Sequence, residues 1–175
     1  FIDTYDQMAI GGTENPEIVY GFGVNLRWKE LDFGAMFQGI GRTWRILSSN
    51  IMPASNKGSM YNIFDNYQDR WTVDNQSQDV FYPRADYGPN ANNSQKSTWW
   101  LRNMSFLRLK NLELGYSCPK KWLQGFVISN ARVFVRGTNL LTFSKFNLWD
   151  PELATGDGAK YPAMKSVSVG FDITF

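Results

Sequence analysis

Carboxylates and aromatic rings recur together between residues 71 and 86: Trp71, Asp74, Asp79, Phe81, Tyr82 and Asp86. Flat rings that stack on a sugar, beside carboxylates that accept its hydroxyl hydrogens, are a common way to hold a carbohydrate. Trp71, Phe81, Tyr82, Asp79 and Asp86 therefore form a candidate ligand-contact set. Ordinary loop packing uses the same rings and is the weightier account. A second acidic group, Asp150, Glu152 and Asp157 with Gly156 and Gly158, invites comparison with a calcium loop. Its spacing departs from the alternating ligands and closing Glu of an EF-hand. A solvated turn fixed by Pro151 explains it better, and no metal site is expected.

Other chemistry is excluded more firmly. The chain has no His, which removes the common zinc sites and His-dependent catalysis. Cys118 is the single cysteine, so no disulfide forms within the chain. There is no Gly-rich phosphate loop, no CxxC pair and no nucleophile elbow. Neither an enzyme nor a cofactor is expected. The net charge of +2 comes from scattered Lys and Arg, which argues against a nucleic-acid surface. Lys120-Lys121 reads as a solvated turn.

The elements that must carry these residues alternate at the strand period of two. Strands are expected at about 17–28, 31–41, 101–117, 131–143 and 163–175. In the first, Ile18, Tyr20, Phe22, Val24, Leu26 and Trp28 share one face, opposite Gly21, Gly23, Asn25 and Arg27. In the last, Val167, Val169, Phe171, Ile173 and Phe175 oppose Ser166, Ser168, Gly170, Asp172 and Thr174. These strands exceed the ~5 to 6 residues usual in globular sheets and reach the ~9 to 11 needed to cross a bilayer. Aromatics make up 16% of the residues, with seven Trp, yet the mean hydropathy is -0.37. Barrel strands combine these properties by hiding apolar residues in alternate positions between aromatic girdles. Trp28, Tyr116, Trp122 and Phe175 are placed for one girdle, and Trp44, Trp99, Trp100 and Phe143 for the other.

Connection lengths alternate as well. Lys29-Glu30 is a short turn and 118–130 is intermediate, whereas 42–100 and 144–162 are long. Short turns at one end and long loops at the other mark outer-membrane barrels, with the long loops outside. The expected fold is all-β: a segment of an antiparallel transmembrane β-barrel with extracellular loops at 42–100 and 144–162. Five strands cannot close such a barrel, and an open array would leave edges in lipid. The chain is therefore expected to pair with the remainder of a longer one. On the polar face, Arg27, Glu113, Arg132 and Arg136 are expected to point into the lumen, with both Arg132 and Arg136 in reach of Glu113.

The run Trp100-Leu101-Arg102-Asn103-Met104-Ser105-Phe106-Leu107-Arg108-Leu109-Lys110-Asn111-Leu112-Glu113-Leu114-Gly115-Tyr116 resembles a hallmark of the SusC/RagA family of Bacteroidetes. Arg132-Val133-Phe134-Val135, Gly137-Thr138-Asn139-Leu140, Asp150-Pro151-Glu152 and Tyr161-Pro162 follow in the family's order. Asn15-Pro16 with Tyr20-Gly21-Phe22, and Arg70-Trp71-Thr72 with Tyr82-Pro83-Arg84, extend the resemblance over nearly the whole chain. It implies a TonB-dependent outer-membrane transporter of roughly 22 strands with a plugged lumen, of which these strands are the last five. It further implies import of glycan or peptide fragments with a SusD-like lipoprotein as lid and the TonB complex as energy source. The lid gives Trp71, Phe81, Tyr82, Asp79 and Asp86 a second candidate partner.

Ser168, Gly170, Ile173 and Phe175 match the pattern by which the barrel-assembly machinery recognises a closing strand. The chemistry is strand addition at an unpaired edge. Two other classes fit the alternation: a passive porin-like or adhesin-like barrel, and a soluble carbohydrate-binding β-sandwich. A sandwich would bury the apolar strand faces against a second sheet.

Overall fold

A computed structural model describes residues 4–47, 51, 64–85, 92–93, 95–125 and 127–175. Its strands are β1 (Ile18–Trp28), β2 (Leu31–Gly41), β3 (Trp44–Ile46), β4 (Leu101–Asn103), β5 (Phe106–Ser117), β6 (Asn130–Ser144) and β7 (Ser166–Thr174). The chain forms two compact units. One comprises Thr13–Trp44, Asn103–Ala154 and Lys160–Phe175, and the other Phe1–Gly12, Arg45–Arg102 and Thr155–Ala159.

The first unit is an antiparallel sheet in the order β1-β2-β5-β6-β7. Its register aligns the alternation of every strand. Leu26, Phe33, Leu114, Val135 and Val169 form one row across all five strands. One residue further on, Arg27, Asp32, Gly115, Phe134 and Gly170 form a row on the opposite face. The apolar face is open: Leu26 is 62% exposed and Val169 72%. The described residues include no second sheet of comparable size to cover it. A soluble sandwich does not leave such a face in water.

Short connections leave one end of the sheet. Lys29 takes a left-handed φ of +55° in the two-residue turn between β1 and β2. A turn of 3-10 helix, Lys120–Trp122, lies between β5 and β6. Trp28, Tyr116, Trp122 and Phe175 are all exposed at this end.

The structure departs from the expected strands in three places. The strand anticipated over 101–117 is interrupted at Met104-Ser105. There the Asn103 side chain accepts the Ser105 N–H at 2.8 Å, and the Met104 N–H goes to Thr43 O at 2.9 Å. The connection anticipated over 42–100 contains β3, which pairs with β4 in a separate two-stranded sheet. The last strand starts at Ser166 rather than 163. Register shifts at Met36/Phe37 and Leu109/Asn111 isolate Lys110 as a bulge in β5. Above it, the odd-numbered Leu107 and Leu109 take over the apolar face from Leu112 and Leu114. Close packing at this end relies on Gly39, over which the Tyr20 ring lies. The Tyr20 hydroxyl donates to Phe106 O at 3.3 Å.

The second unit has an aromatic core. Tyr82 is 1% exposed and meets Phe81 edge-on at 4.6 Å, Tyr67 at 5.6 Å and Trp100 at 6.3 Å. Trp100 is buried here and is no girdle residue.

Candidate functional site

The polar face of the sheet carries a charge lane centred on Arg132. Its guanidinium donates to Asp32 through Nε at 3.0 Å and Nη2 at 2.5 Å, and to Glu113 Oε1 at 2.6 Å. It also lies 3.5 Å from Asp172. Arg136 Nε takes the second Glu113 oxygen at 2.6 Å. Planar guanidinium groups suit such forked contacts, which fix direction as well as charge. Of the sequence-predicted charges, Glu113, Arg132 and Arg136 come together. Arg27 lies opposite Asp32 in the register and forms no ion pair among the described residues. Asp32 and Asp172 were not among the expected charges. Asp32 was legible in principle, because a two-residue turn after Trp28 forces Arg27 and Asp32 to be partners.

Phe134 sits inside this lane, with the Arg132 and Arg136 guanidinium carbons 5.1 and 5.2 Å from its ring centre. Glycine makes room on either side. A methyl group on Gly115 would strike the Arg132–Asp32 pair, and one on Gly170 would lie 2.5 Å from Phe134 Cζ. Gly170→Ala in the complete protein is expected to lower stability by about 1–3 kcal/mol, the usual cost of overpacking. The temperature of heat-modifiable gel mobility reads this out. Adding Phe134→Leu should recover most of the loss, and an unshifted Gly170→Ala would refute the account.

A second cluster lies at the other end of the same face. Arg108 is 2% exposed and bonds Asp150, and its Nη1 lies 3.0 Å from Glu152. Lys110 Nζ bonds both Glu152 oxygens, at 2.7 and 3.0 Å. Asp150 also accepts the Glu152 N–H at 3.0 Å, capping the short 3-10 helix Pro151–Leu153. Segment 145–154 is thereby strapped onto the polar face. Asp157 accepts the Ala159 N–H at 3.0 Å instead of joining them. The described residues contain no cluster able to hold a metal ion.

The expected ligand-contact residues separate. Phe81 and Tyr82 belong to the aromatic core, and burial pushes the Tyr82 phenol above its ordinary pKa. The Tyr82 hydroxyl bonds Asn66 Oδ1 at 3.3 Å. Arg102 covers Phe81, its guanidinium carbon 5.0 Å from the ring centre. Trp71 is half-buried and Asp79 exposed, while Asp86 lies outside the described residues. At the C-terminus, Ser168, Gly170 and Ile173 lie in β7, whose other edge has no partner strand among the described residues, and Phe175 follows it, exposed.

No family model matches the chain. TonB-dependent receptor P26 of Formosa agariphila is 31% identical over 185 residues, covering 97% of this chain and 18% of that protein. TonB-dependent receptor SusC of Bacteroides thetaiotaomicron is 33% identical over 81 residues, covering 45% of this chain and 8% of SusC. A structure of the RagAB peptide importer in the closed-closed state superposes with a TM-score of 0.80 at 31% identity, over 100% of this chain and 19% of its counterpart. The chain spans about a fifth of the length of the P26 receptor and of the RagAB counterpart. Both faces of the sheet accord with that match, the apolar one suited to lipid and the other charged. The chain belongs to the SusC- and RagA-type TonB-dependent receptors of the outer membrane, and corresponds to a C-terminal segment of them.

Proposed function

We propose that this chain supplies five strands to the barrel of a receptor that imports glycan or peptide fragments, with a SusD-like lipoprotein as its lid. The observation that carries the reading is the two-faced sheet: open and apolar on one side, lined by the Arg132 and Arg108 clusters on the other. Strands of this kind separate lipid from an aqueous lumen. On this reading Arg27, Glu113, Arg132 and Arg136 face the lumen, and 42–100 and 144–162 emerge outside. The TonB complex acts through parts of the receptor beyond this chain. Ser168, Gly170, Ile173 and Phe175 present the closing strand to the barrel-assembly machinery, and Trp71 and Asp79 remain available to cargo or lid.

The test uses the full-length gene. Its deletion should abolish uptake of one class of fragment, and a protonophore should stop uptake in the intact strain. A tagged receptor should bring down a surface lipoprotein. Uptake that persists after the membrane potential is collapsed would mark a passive porin and defeat the proposal.

A further inference from the structure

Most glycines of the five-stranded sheet lie under a side chain from the strand next door. Ile18 stands beside Gly41, Tyr20 covers Gly39, Asn25 covers Gly34, Asp32 meets Gly115 and Phe134 covers Gly170. Each of these pairs faces directly across the register. In each, the side chain comes from the strand that precedes the glycine's own in the order β1-β2-β5-β6-β7. The sheet twists with one hand, so the lean repeats from strand to strand. Gly137 departs from this, being covered by Leu140 of its own strand.

Gly21 and Gly23 lack such a cover. A Cβ on Gly21 would meet only Phe37 O, at 3.4 Å, which is an ordinary contact. On Gly23 it would meet only the backbone of Ala35 and Met36. Neither glycine has a positive φ. Among the described residues nothing requires glycine at position 21, where alanine would hold a strand better. A hollow of about 790 Å³ lies over both glycines and extends past Arg27 to Asn111 and Glu113. Interior strand glycines mark the close approach of another group. The other edge of β1 has no partner strand among the described residues, and the P26 receptor is about five times longer than this chain.

We infer that the hollow is filled by the strand of the complete receptor that adds to the free edge of β1. That strand carries large side chains directly across from Gly21 and Gly23. It also places a carboxylate beside Arg27, because Asp32, the register partner of Arg27, gives both oxygens to Arg132. An antiparallel neighbour reads this face backwards. Its signature is therefore an Asp or Glu followed four and six residues later by side chains at least as large as Asn. The inference rests on the barrel reading proposed above and concerns the wall, not the cargo.

The full-length gene supplies the first check. The strand upstream of β1 should carry the signature, and Gly, Ala or Ser at both facing positions would overturn the inference. Gly21→Ala in the full-length receptor should then lower the temperature of the heat-modifiable gel shift, through overpacking against the cover. Cutting the side chain that faces Gly21 to Ala in the same receptor should restore it. Arg27→Glu should lower the temperature as well, and exchanging the facing carboxylate for Arg should recover the loss. A Gly21→Ala receptor at least as stable as its parent would leave the hollow open to water or cargo and overturn the cover. A double variant that stays unstable would do the same. A parent with no heat-modifiable shift at all would defeat the barrel reading itself. Uptake is not measured, so a receptor that imports nothing leaves the outcome unchanged.

Discussion

Arg108→Ala in the full-length receptor should cost about 3–5 kcal/mol and release the segment that follows β6. Arg108 is 2% exposed, and the Asp150 side chain opposite it is 13% exposed. Removing one partner of a buried pair strands the other charge, which is costlier than the pair itself was worth. Asp150 would keep only the N–H of Glu152, whereas Glu152 would keep Lys110. Limited chymotrypsin digestion gives the local readout: Phe146 is buried and Trp149 half-buried while the strap is closed. Cleavage after either residue is expected in the variant and not in the parent. Lys110→Ala should have a much smaller effect, since Arg108 still holds Glu152. Equal protection of parent and Arg108→Ala would mean that the strap is held by something else.

Arg132→Ala ranks second, at about 2–4 kcal/mol after allowance for partial solvent screening. The side chains of Arg132, Asp32 and Glu113 are 20%, 31% and 23% exposed. Without the guanidinium, Asp32 and Glu113 become neighbouring carboxylates, with Arg136 left to serve only Glu113. Neutralising both acids in the same chain, Asp32→Asn with Glu113→Gln, should recover a large part of the loss. The temperature of the heat-modifiable shift measures each step. A triple variant as unstable as Arg132→Ala alone would show that lost packing against Phe134, and not stranded charge, sets the cost.

Strand faces were readable from alternation because one lipid-suited face imposes strict period two. Leu26, Val135 and Val169 needed nothing further. The polar lane was partly readable: Glu113 with Arg132 and Arg136 follows from adjacent strands of opposite charge. The strap was not, because Arg108 and Glu152 lie 44 positions apart and local pattern carries no information about that return. Asp150 and Glu152 read from the sequence as a solvated turn for the same reason. The bulge at Lys110 leaves a trace in the sequence, since the leucines change from odd to even positions across it. The aromatic group at 71–82 defeated composition alone, since the same rings serve ligand platforms and loop cores. Only burial separates Tyr82 from Trp71.

The glycines beneath Tyr20, Phe134 and Arg132 also constrain how this wall can evolve. Each large side chain occupies the space that a neighbouring strand leaves by having no side chain. A lineage that fills Gly170 while Phe134 remains large pays in stability, so there the ring shrinks before the glycine grows. Gly39 is closed twice, by the Tyr20 ring and by the Phe106 carbonyl oxygen 2.6 Å from where a Cβ would stand, so shrinking the ring does not free it. In a collection of descendants, Gly170 and Phe134 should vary together across about 36 positions of chain, whereas Gly39 should stay glycine whatever stands at position 20.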